Sequence, residues 1–223
     1  MANDYFRFKQ FTVSQSHCAM KVGTDGTLLG AWARGGRRVL DIGTGTGLIA
    51  LMMAQRFPEA TVVGIDIDAE AVEQARQNAA DSPFADRIDI QQADVCQFEG
   101  QFDAIVSNPP FFENALSAPE PRRALARHSV ALSYAQLMGS SRRLLSPVGE
   151  LSVVVPFDCR QRLESEAILA GFFKSRECDV RTSAGKPPKR SLMAFRLHSG
   201  TLEKDERSLQ SEWYKLLTND FYL

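Results

Sequence analysis

The sequence contains few residues of the kinds that bind transition metals or form disulfides. It has four cysteines and three histidines among 223 residues. The cysteines are widely scattered, and they form neither a CxxC pair nor a metal-ligand spacing with the histidines His17, His128 and His198. The cysteines are Cys18, Cys96, Cys159 and Cys178. We therefore predict reduced thiols and no metal centre.

The sequence also lacks an excess of charge of either sign and any long apolar run. Its 26 basic and 27 acidic side chains give a formal net charge of -1. No global positive field therefore attracts a polyanion, and contact with a nucleic acid would require local basic clusters. The N-terminus shows no apolar signal core, and no later stretch has the length needed to span a bilayer. We expect a cytoplasmic monomer without membrane contact.

Strand patterns alternate with helical patterns from residue 39 to about residue 196, which is typical of a parallel sheet covered by helices. Strands are predicted at 39–42, 61–67, 88–92, 102–107 and 149–156, and helices at 48–56, 69–80, 131–145 and 162–170. Residues 175–182 and 192–198 predict an antiparallel hairpin at the sheet edge. A helical pattern follows residue 200.

These elements predict one α/β domain, since a chain that is 44% hydrophobic at this length can bury one sizeable core. We expect a Rossmann-like, seven-stranded and mostly parallel sheet with an antiparallel C-terminal hairpin and helices on both faces. Residues 39–200 would form this domain. Residues 1–38 would form a segment that covers the ligand site, and residues 201–223 would form a helical tail packed on the same domain.

A glycine-rich turn links the first predicted strand to the first predicted helix. Gly43, Gly45 and Gly47 have no Cβ, so backbone there can approach a nucleotide-like ligand closely. Asp41 precedes the first glycine, where a carboxylate would repel the pyrophosphate of a dinucleotide. S-adenosyl-L-methionine, which has a cationic ammonium and a sulfonium, suits this acidic strand end.

Carboxylates also end the next two predicted strands. Asp66 lies about 20 residues beyond the glycines, where a carboxylate can accept both hydroxyls of a ribose. Asp94 could accept from the amine of an adenine, with Ile67 and Val95 packing on the ring. Alone, each of these residues could be part of an ordinary turn or helix cap. Their recurrence at successive strand ends instead favours one cofactor crevice.

The most specific motif follows the predicted strand at 102–107. In Asn108-Pro109-Pro110-Phe111 the prolines fix φ and donate no N–H, so carbonyls and the Asn108 amide oxygen can converge on one donor. An exocyclic amine is such a donor, and Phe111 offers a face on which a flipped base can stack. The simpler interpretation is a rigid turn that ends a strand. We assign these four residues a catalytic role.

The chain resembles the class I methyltransferases, which have a Rossmann-like fold. The resemblance covers residues 39–112 and rests on VLDIGTGTG, GIDID, QADV and NPPF. More narrowly, the chain resembles the bacterial YfiC/TrmN family of tRNA1(Val) adenine methyltransferases. That likeness rests on FKQF at 8–11, MKVGTDGTLLGAW at 20–32, ARH at 126–128 and KPPKR at 186–190.

The resemblance implies an enzyme that methylates the N6 amine of the adenosine beside the anticodon, with S-adenosyl-L-methionine as donor. It implies that Asp66 binds the ribose, that Asp94 binds the cofactor's adenine and that residues 108–111 hold the target base. Lys21 and Thr24 would belong to a lid segment that borders the methionine end of the cofactor.

Candidate RNA contacts are the local basic clusters near the expected cleft. They are Arg122, Arg127 and His128 after the catalytic loop, and Lys186, Lys189 and Arg190 in the hairpin loop. Arg142 and Arg143 lie on a predicted helix, and we interpret them as a solvated face. His128 need not act as a base, because an amine methylated in this way loses its proton after transfer.

Three other functions remain open from the residues alone. Related Asn-Pro-Pro loops serve methyltransferases that act on rRNA bases or on protein glutamine amides, although those enzymes usually carry an additional domain. An NAD-dependent oxidoreductase is disfavoured by the GxGxG spacing, by Asp41 and by the lack of a placed proton donor. The intact NPPF motif disfavours a non-catalytic RNA-binding module.

Overall fold

The computed structural model describes residues 4–16, 22–110 and 132–223. The strands are β1 Tyr5–Arg7, β2 Thr12–Ser14, β3 Arg38–Ile42, β4 Thr61–Asp66, β5 Ile88–Gln92, β6 Phe102–Ser107, β7 Leu145–Pro156, β8 Phe173–Arg181, β9 Pro188–Arg196 and β10 Glu203–Ser208. The helices are α1 Thr24–Trp32, α2 Leu48–Arg56, α3 Ala69–Ala80, α4 Tyr134–Leu144, α5 Arg160–Leu169 and α6 Glu212–Thr218. Within these ranges no helix combines the length and the apolar character needed to cross a membrane.

One large sheet carries the fold, with strand order β10-β8-β9-β7-β6-β3-β4-β5. β9 runs antiparallel to both neighbours, whereas every other pair in this sheet is parallel. The predicted mostly parallel sheet with a C-terminal hairpin is therefore confirmed. β1 and β2 form a separate two-stranded hairpin near the N-terminus.

The large sheet has eight strands rather than the seven predicted. The additional strand, β10, lies in the tail that we expected to be helical, and it pairs in parallel with β8. Its sequence, EKDERS, contains no apolar residue, so no hydrophobic period marks it. Ladder hydrogen bonds and edge ion pairs such as Arg181 with Glu206 hold it instead. Only α6 of the tail is helical.

The sheet is covered on both faces because its strands alternate between two hydrophobic clusters. Val39 and Val154 belong to the cluster formed with α1 and α2. Leu40 and Val153, their strand neighbours, belong to the cluster formed with α4 and α5. Successive side chains of a strand point to opposite faces, so these helix pairs lie on opposite sides.

Helix α1 occupies a segment to which the sequence analysis assigned no element. It contains two glycines in nine residues, which weakens its helical pattern. The glycines permit close packing: a Cβ on Gly30 would lie 2.7 Å from the sulfur of Met52 in α2. Tertiary packing rather than intrinsic propensity thus stabilises this helix.

The parallel strands all end at the same edge of the sheet, which we call the carboxyl edge. The loops after β3, β4, β5 and β6 emerge there. The β8–β9 turn lies at this edge too, because Pro156 at the end of β7 pairs with Arg190 at the start of β9. In open α/β sheets the ligand crevice forms at this edge.

Candidate active site

A cleft of about 660 Å³ opens at the carboxyl edge. The loops after β3, β4, β5 and β6 and the start of α4 line it. Of the predicted site residues, the lining includes Gly43, Gly45, Asp66, Ile67, Asp94, Val95, Asn108, Pro109 and Pro110. The structure thus brings the glycine turn, the two strand-end carboxylates and the Asn-Pro-Pro motif into one cleft.

The glycine turn forms an open floor of this cleft. Gly43 and Gly45 have φ of 70° and 54°, and a Cβ on either residue would meet no atom of the described residues within 4 Å. The amides of Gly43 and Thr44 both donate to Ile65 O at 2.9 Å, which ties the turn to the end of β4. Glycine is required here for the left-handed backbone rather than for relief of a clash.

Gly47 does not line the cleft. Its φ is 79°, and a Cβ there would lie 3.3 Å from the Cβ of Ala75 in α3. It therefore allows α3 to pack closely against the turn. Gly47 is the N-cap residue of α2, and the prediction that it borders the cofactor stays a prediction.

Asp41 also lies beneath the turn rather than in the cleft. It is fully buried, and its Oδ2 accepts from Thr44 Oγ1 at 2.7 Å and from the Ala50 amide at 3.1 Å. Burial raises the pKa of this carboxyl from 3.8 to about 7, although both hydrogen bonds act in the opposite direction. Asp41 does not belong to the cleft lining, and its role toward the cationic groups of the cofactor stays a prediction. Its two hydrogen bonds stabilise the turn from the buried side.

Asp66 is placed to serve both the turn and a ligand. Its Oδ2 accepts from the Gly45 amide at 3.0 Å, and its Oδ1 accepts from the Asp68 amide at 3.0 Å. Each carboxylate oxygen can accept a further hydrogen bond. Because the residue lines the cleft, hydroxyl groups of a ligand can reach these oxygens.

The loop after β5 forms the neighbouring wall. Asp94 accepts from the Cys96 amide at 2.9 Å through Oδ1 and from Gln97 Nε2 at 3.3 Å through Oδ2. Val95 is buried, whereas the side chain of Ile67 across the cleft is half-exposed at 50%. Two apolar side chains beside a carboxylate suit a planar heterocycle that carries an amine.

Arg143 in α4 holds this loop from outside. Its guanidinium donates to Val95 O at 3.1 Å, to Cys96 O at 3.2 Å and, at shorter distance, to Phe98 O. Arg143 is exposed, as predicted for a solvated face, and it also contacts these carbonyls, which the sequence did not predict. No sequence signal marks the contact, because it joins α4 to a loop about 45 residues earlier.

Asn108 follows directly after β6, whose last residue, Ser107, donates through Oγ to Ile42 O at 2.8 Å. The Asn108 Oδ1 is buried and has no hydrogen-bond partner among the residues that the structure describes. A buried acceptor without a donor costs free energy, so each such atom needs an explanation. The atom is therefore available to a donor that enters the cleft.

The start of α4 completes the lining with Leu132, Ser133 and Gln136, which the sequence analysis did not select. Ser133 caps the helix: its Oγ accepts from the Gln136 amide at 3.2 Å, and Gln136 Oε1 accepts from the Ser133 amide at 3.0 Å. The S-x-x-Q spacing of a capping box was visible in the sequence. Its place at the cleft was not.

Several predicted site residues either do not line the cleft or lie outside the described residues. Lys21, Phe111, Arg122, Arg127 and His128 lie outside the described residues. Thr24 begins α1 and is not part of the cleft lining.

The hairpin cations differ in their surroundings. Lys186 and Lys189 are exposed at the carboxyl edge. Arg190 instead forms an ion pair with Asp25 at the start of α1, and only 19% of its side chain is exposed. The described residues contain no group of three or more potential metal ligands.

Comparisons with known proteins agree with this geometry. Residues 16–184 match the family model described as the methyltransferase small domain. The chain is 48% identical to the tRNA1(Val) (adenine(37)-N6)-methyltransferase of Phocaeicola vulgatus, over 100% of this chain and 99% of that protein. It is 41% identical to the protein of the same name from Histophilus somni, over 98% and 97% of the two chains.

Two solved structures show the same fold. A predicted O-methyltransferase from Agrobacterium tumefaciens matches with a TM-score of 0.67 and 18% identity, over 88% of this chain and 96% of that one. TrmN from Thermus thermophilus matches with a TM-score of 0.54 and 26% identity, over 76% and 46% of the two chains. These similarities confirm the predicted fold.

Proposed function

We propose that this chain methylates the N6 amine of an adenosine in tRNA, because it belongs to the methyltransferase small domain family and to the family of tRNA1(Val) (adenine(37)-N6)-methyltransferases. The substrate position is taken from the name of the relatives, which places the target at nucleotide 37 of tRNA1(Val). We also propose that the chain acts in the cytoplasm and as a monomer.

The observation that carries the proposal is the buried Asn108 Oδ1, which has no hydrogen-bond partner among the described residues and lies in the same cleft as Gly43 and Asp66. The two halves of the reaction need different groups: an open backbone and carboxylates for a nucleoside cofactor, and an acceptor for an amine. One cleft holds both. For a turn that merely ends a strand, a buried amide oxygen without a donor among the described residues would be a cost with no return.

S-adenosyl-L-methionine fits the residues present. We propose that Gly43 and Gly45 approach it through their backbone, that Asp66 accepts its ribose hydroxyls and that Asp94 accepts from its adenine amine. Ile67 and Val95 would pack on either side of the adenine. When bound, the cofactor supplies a methyl group on a sulfonium sulfur, which is activated for transfer to a nucleophile.

The Asn-Pro-Pro loop would then hold the target nitrogen. Asn108 Oδ1 and the carbonyl of Pro109 accept hydrogen bonds from the exocyclic amine, which fixes the nitrogen and turns its lone pair out of conjugation with the ring. The nitrogen loses its proton after transfer, so no strong base is required. Phe111, whose structure is not described, is proposed to stack on the flipped base.

Contact with the RNA backbone is proposed for two exposed lysines, Lys186 in the β8–β9 turn and Lys189 at the start of β9. Lys186 and Lys189 lie at the same edge of the sheet as the cleft, and the net charge of -1 leaves such contacts to local clusters. Arg122, Arg127 and His128 are further candidates. Arg190 is a weaker candidate, because its ion pair with Asp25 competes with a phosphate.

One experiment tests the proposal. The protein is incubated with total small RNA and S-adenosyl-L-methionine that carries a labelled methyl group, and the RNA is digested to nucleosides. Labelled N6-methyladenosine, with the label absent when an Asn108→Ala variant replaces the wild type, is the expected result. A labelled guanosine, or label only in protein, would refute the adenine assignment.

A further inference from the structure

We infer that Asn78 in α3 is a positioning residue for the cofactor turn, which it couples to the N-terminal hairpin. This inference rests on the proposed function, since the turn matters only if the cofactor binds there. Asn78 is 2% exposed and does not line the cleft. Any effect on the ligand must therefore pass through the groups that its side chain contacts.

The Asn78 amide bonds to two separate segments at once. Its Oδ1 accepts from the Ser14 amide at 2.8 Å, and its Nδ2 donates to Ser14 O at 2.9 Å. The second Nδ2 hydrogen goes to Thr46 O at 2.8 Å. The first two bonds pair with the backbone of Ser14 at the end of β2, as a neighbouring strand would. The third bond is made to Thr46, which lies between Gly45 and Gly47 in the turn.

The neighbouring contacts keep these segments aligned. Ala75, one helical turn before Asn78, packs against Gly47. Helix α3 therefore contacts two successive residues of the turn, Thr46 and Gly47. On the hairpin side, Gln15 follows Ser14, and its Oε1 accepts from the Val22 amide at 2.8 Å. The chain just before α1 is thereby tied to the same point.

Thr46 O belongs to the peptide that joins Thr46 to Gly47, so the bond from Asn78 fixes the orientation of that peptide plane. Gly47 has positive φ, and its amide, in the same peptide, donates to Thr44 O at 2.8 Å. A rotation of this peptide would break that bond and loosen the turn beside Gly45, whose amide donates to Asp66. Glycine backbone rotates readily unless something holds it. Asn78 supplies that restraint with a side chain whose two donors are both used.

The test replaces Asn78 with aspartate, which has the same shape but no donor and sets a carboxylate oxygen against two carbonyls. A second variant, Asn78→Ser, removes the contact without adding charge. Gln77→Glu is the matched control, because Gln77 is an exposed residue of the same helix that donates to Asp81. Affinity for S-adenosylhomocysteine is measured by calorimetry well below the lowest melting temperature, and amide hydrogen exchange is followed at Gly47.

We expect both Asn78 variants to bind S-adenosylhomocysteine about ten-fold more weakly, as the loss of a buried hydrogen-bonded pair predicts. Exchange at the Gly47 amide, which donates to Thr44 O, should become faster. The control should match the wild type in both measurements. Variants with a lowered melting temperature but unchanged affinity and Gly47 exchange would overturn the inference. Failure of the wild type itself to bind would instead refute the proposed function.

Discussion

Replacing Asn108 with alanine should abolish most methyl transfer while leaving cofactor binding nearly intact. The substitution removes the buried Oδ1 that has no partner in the described structure, and it leaves Gly43, Asp66 and Asp94 unchanged. Removal of one preorganised hydrogen-bond partner of a reacting group costs about 3–4 kcal/mol of transition-state stabilisation. We therefore expect kcat to fall by about 10²- to 10³-fold.

The assay is single-turnover transfer of a labelled methyl group to tRNA, run beside calorimetry with S-adenosylhomocysteine. Asn219→Ala is the matched control, since Asn219 is an exposed asparagine of the C-terminal segment. Its kcat and affinity should equal those of the wild type. An Asn108→Ala variant that binds the cofactor weakly but transfers methyl at the normal rate would refute the role assigned to Asn108.

Three further predictions follow from contacts around the cleft. The double substitution Lys186→Ala and Lys189→Ala should weaken tRNA binding. It should also reduce the slope of log affinity against log salt concentration by about one unit per lost phosphate contact. An unchanged slope in filter binding would exclude both lysines from contact with the RNA. Arg143→Ala should raise the KM for S-adenosyl-L-methionine about three-fold with kcat unchanged, since it releases exposed carbonyls of the β5 loop; a lower kcat alone would contradict this. The raised pKa of buried Asp41 means that the folded state holds a proton that the unfolded state releases. The free energy of unfolding should therefore fall, by at most about 4 kcal/mol, as pH rises from 3.8 to about 7. Denaturant titrations at several pH values should show that this fall is absent from an Asp41→Asn variant.

Helices and strands with a strong local pattern could be predicted from the sequence. α3 has the predicted bounds because Ala, Glu, Gln and Arg favour helix and because Asp68 caps it by accepting from the Glu70 amide. β5 and β6 also have their predicted bounds. β10 was missed because a charged edge strand carries no hydrophobic period, and α1 because its glycines serve packing against α2.

The sequence predicted which strand ends meet at the cleft, but it did not predict which way the side chains at those ends point. Parallel strands must bring Asp66, Asp94 and Asn108 to one edge, and this expectation agrees with the cleft lining. Sequence position could not tell that Asp41 turns beneath the glycines. It also could not reveal Arg143, whose partners are backbone carbonyls distant in the chain and therefore independent of their side chains.

The most direct measurement is a crystal structure of the protein with S-adenosylhomocysteine. The ribose hydroxyls should bond to Asp66, the adenine should lie between Ile67 and Val95, and the sulfur should face Asn108. A ligand bound outside the cleft, or one whose sulfur points away from the Asn-Pro-Pro loop, would contradict the conclusion that one site joins donor and acceptor.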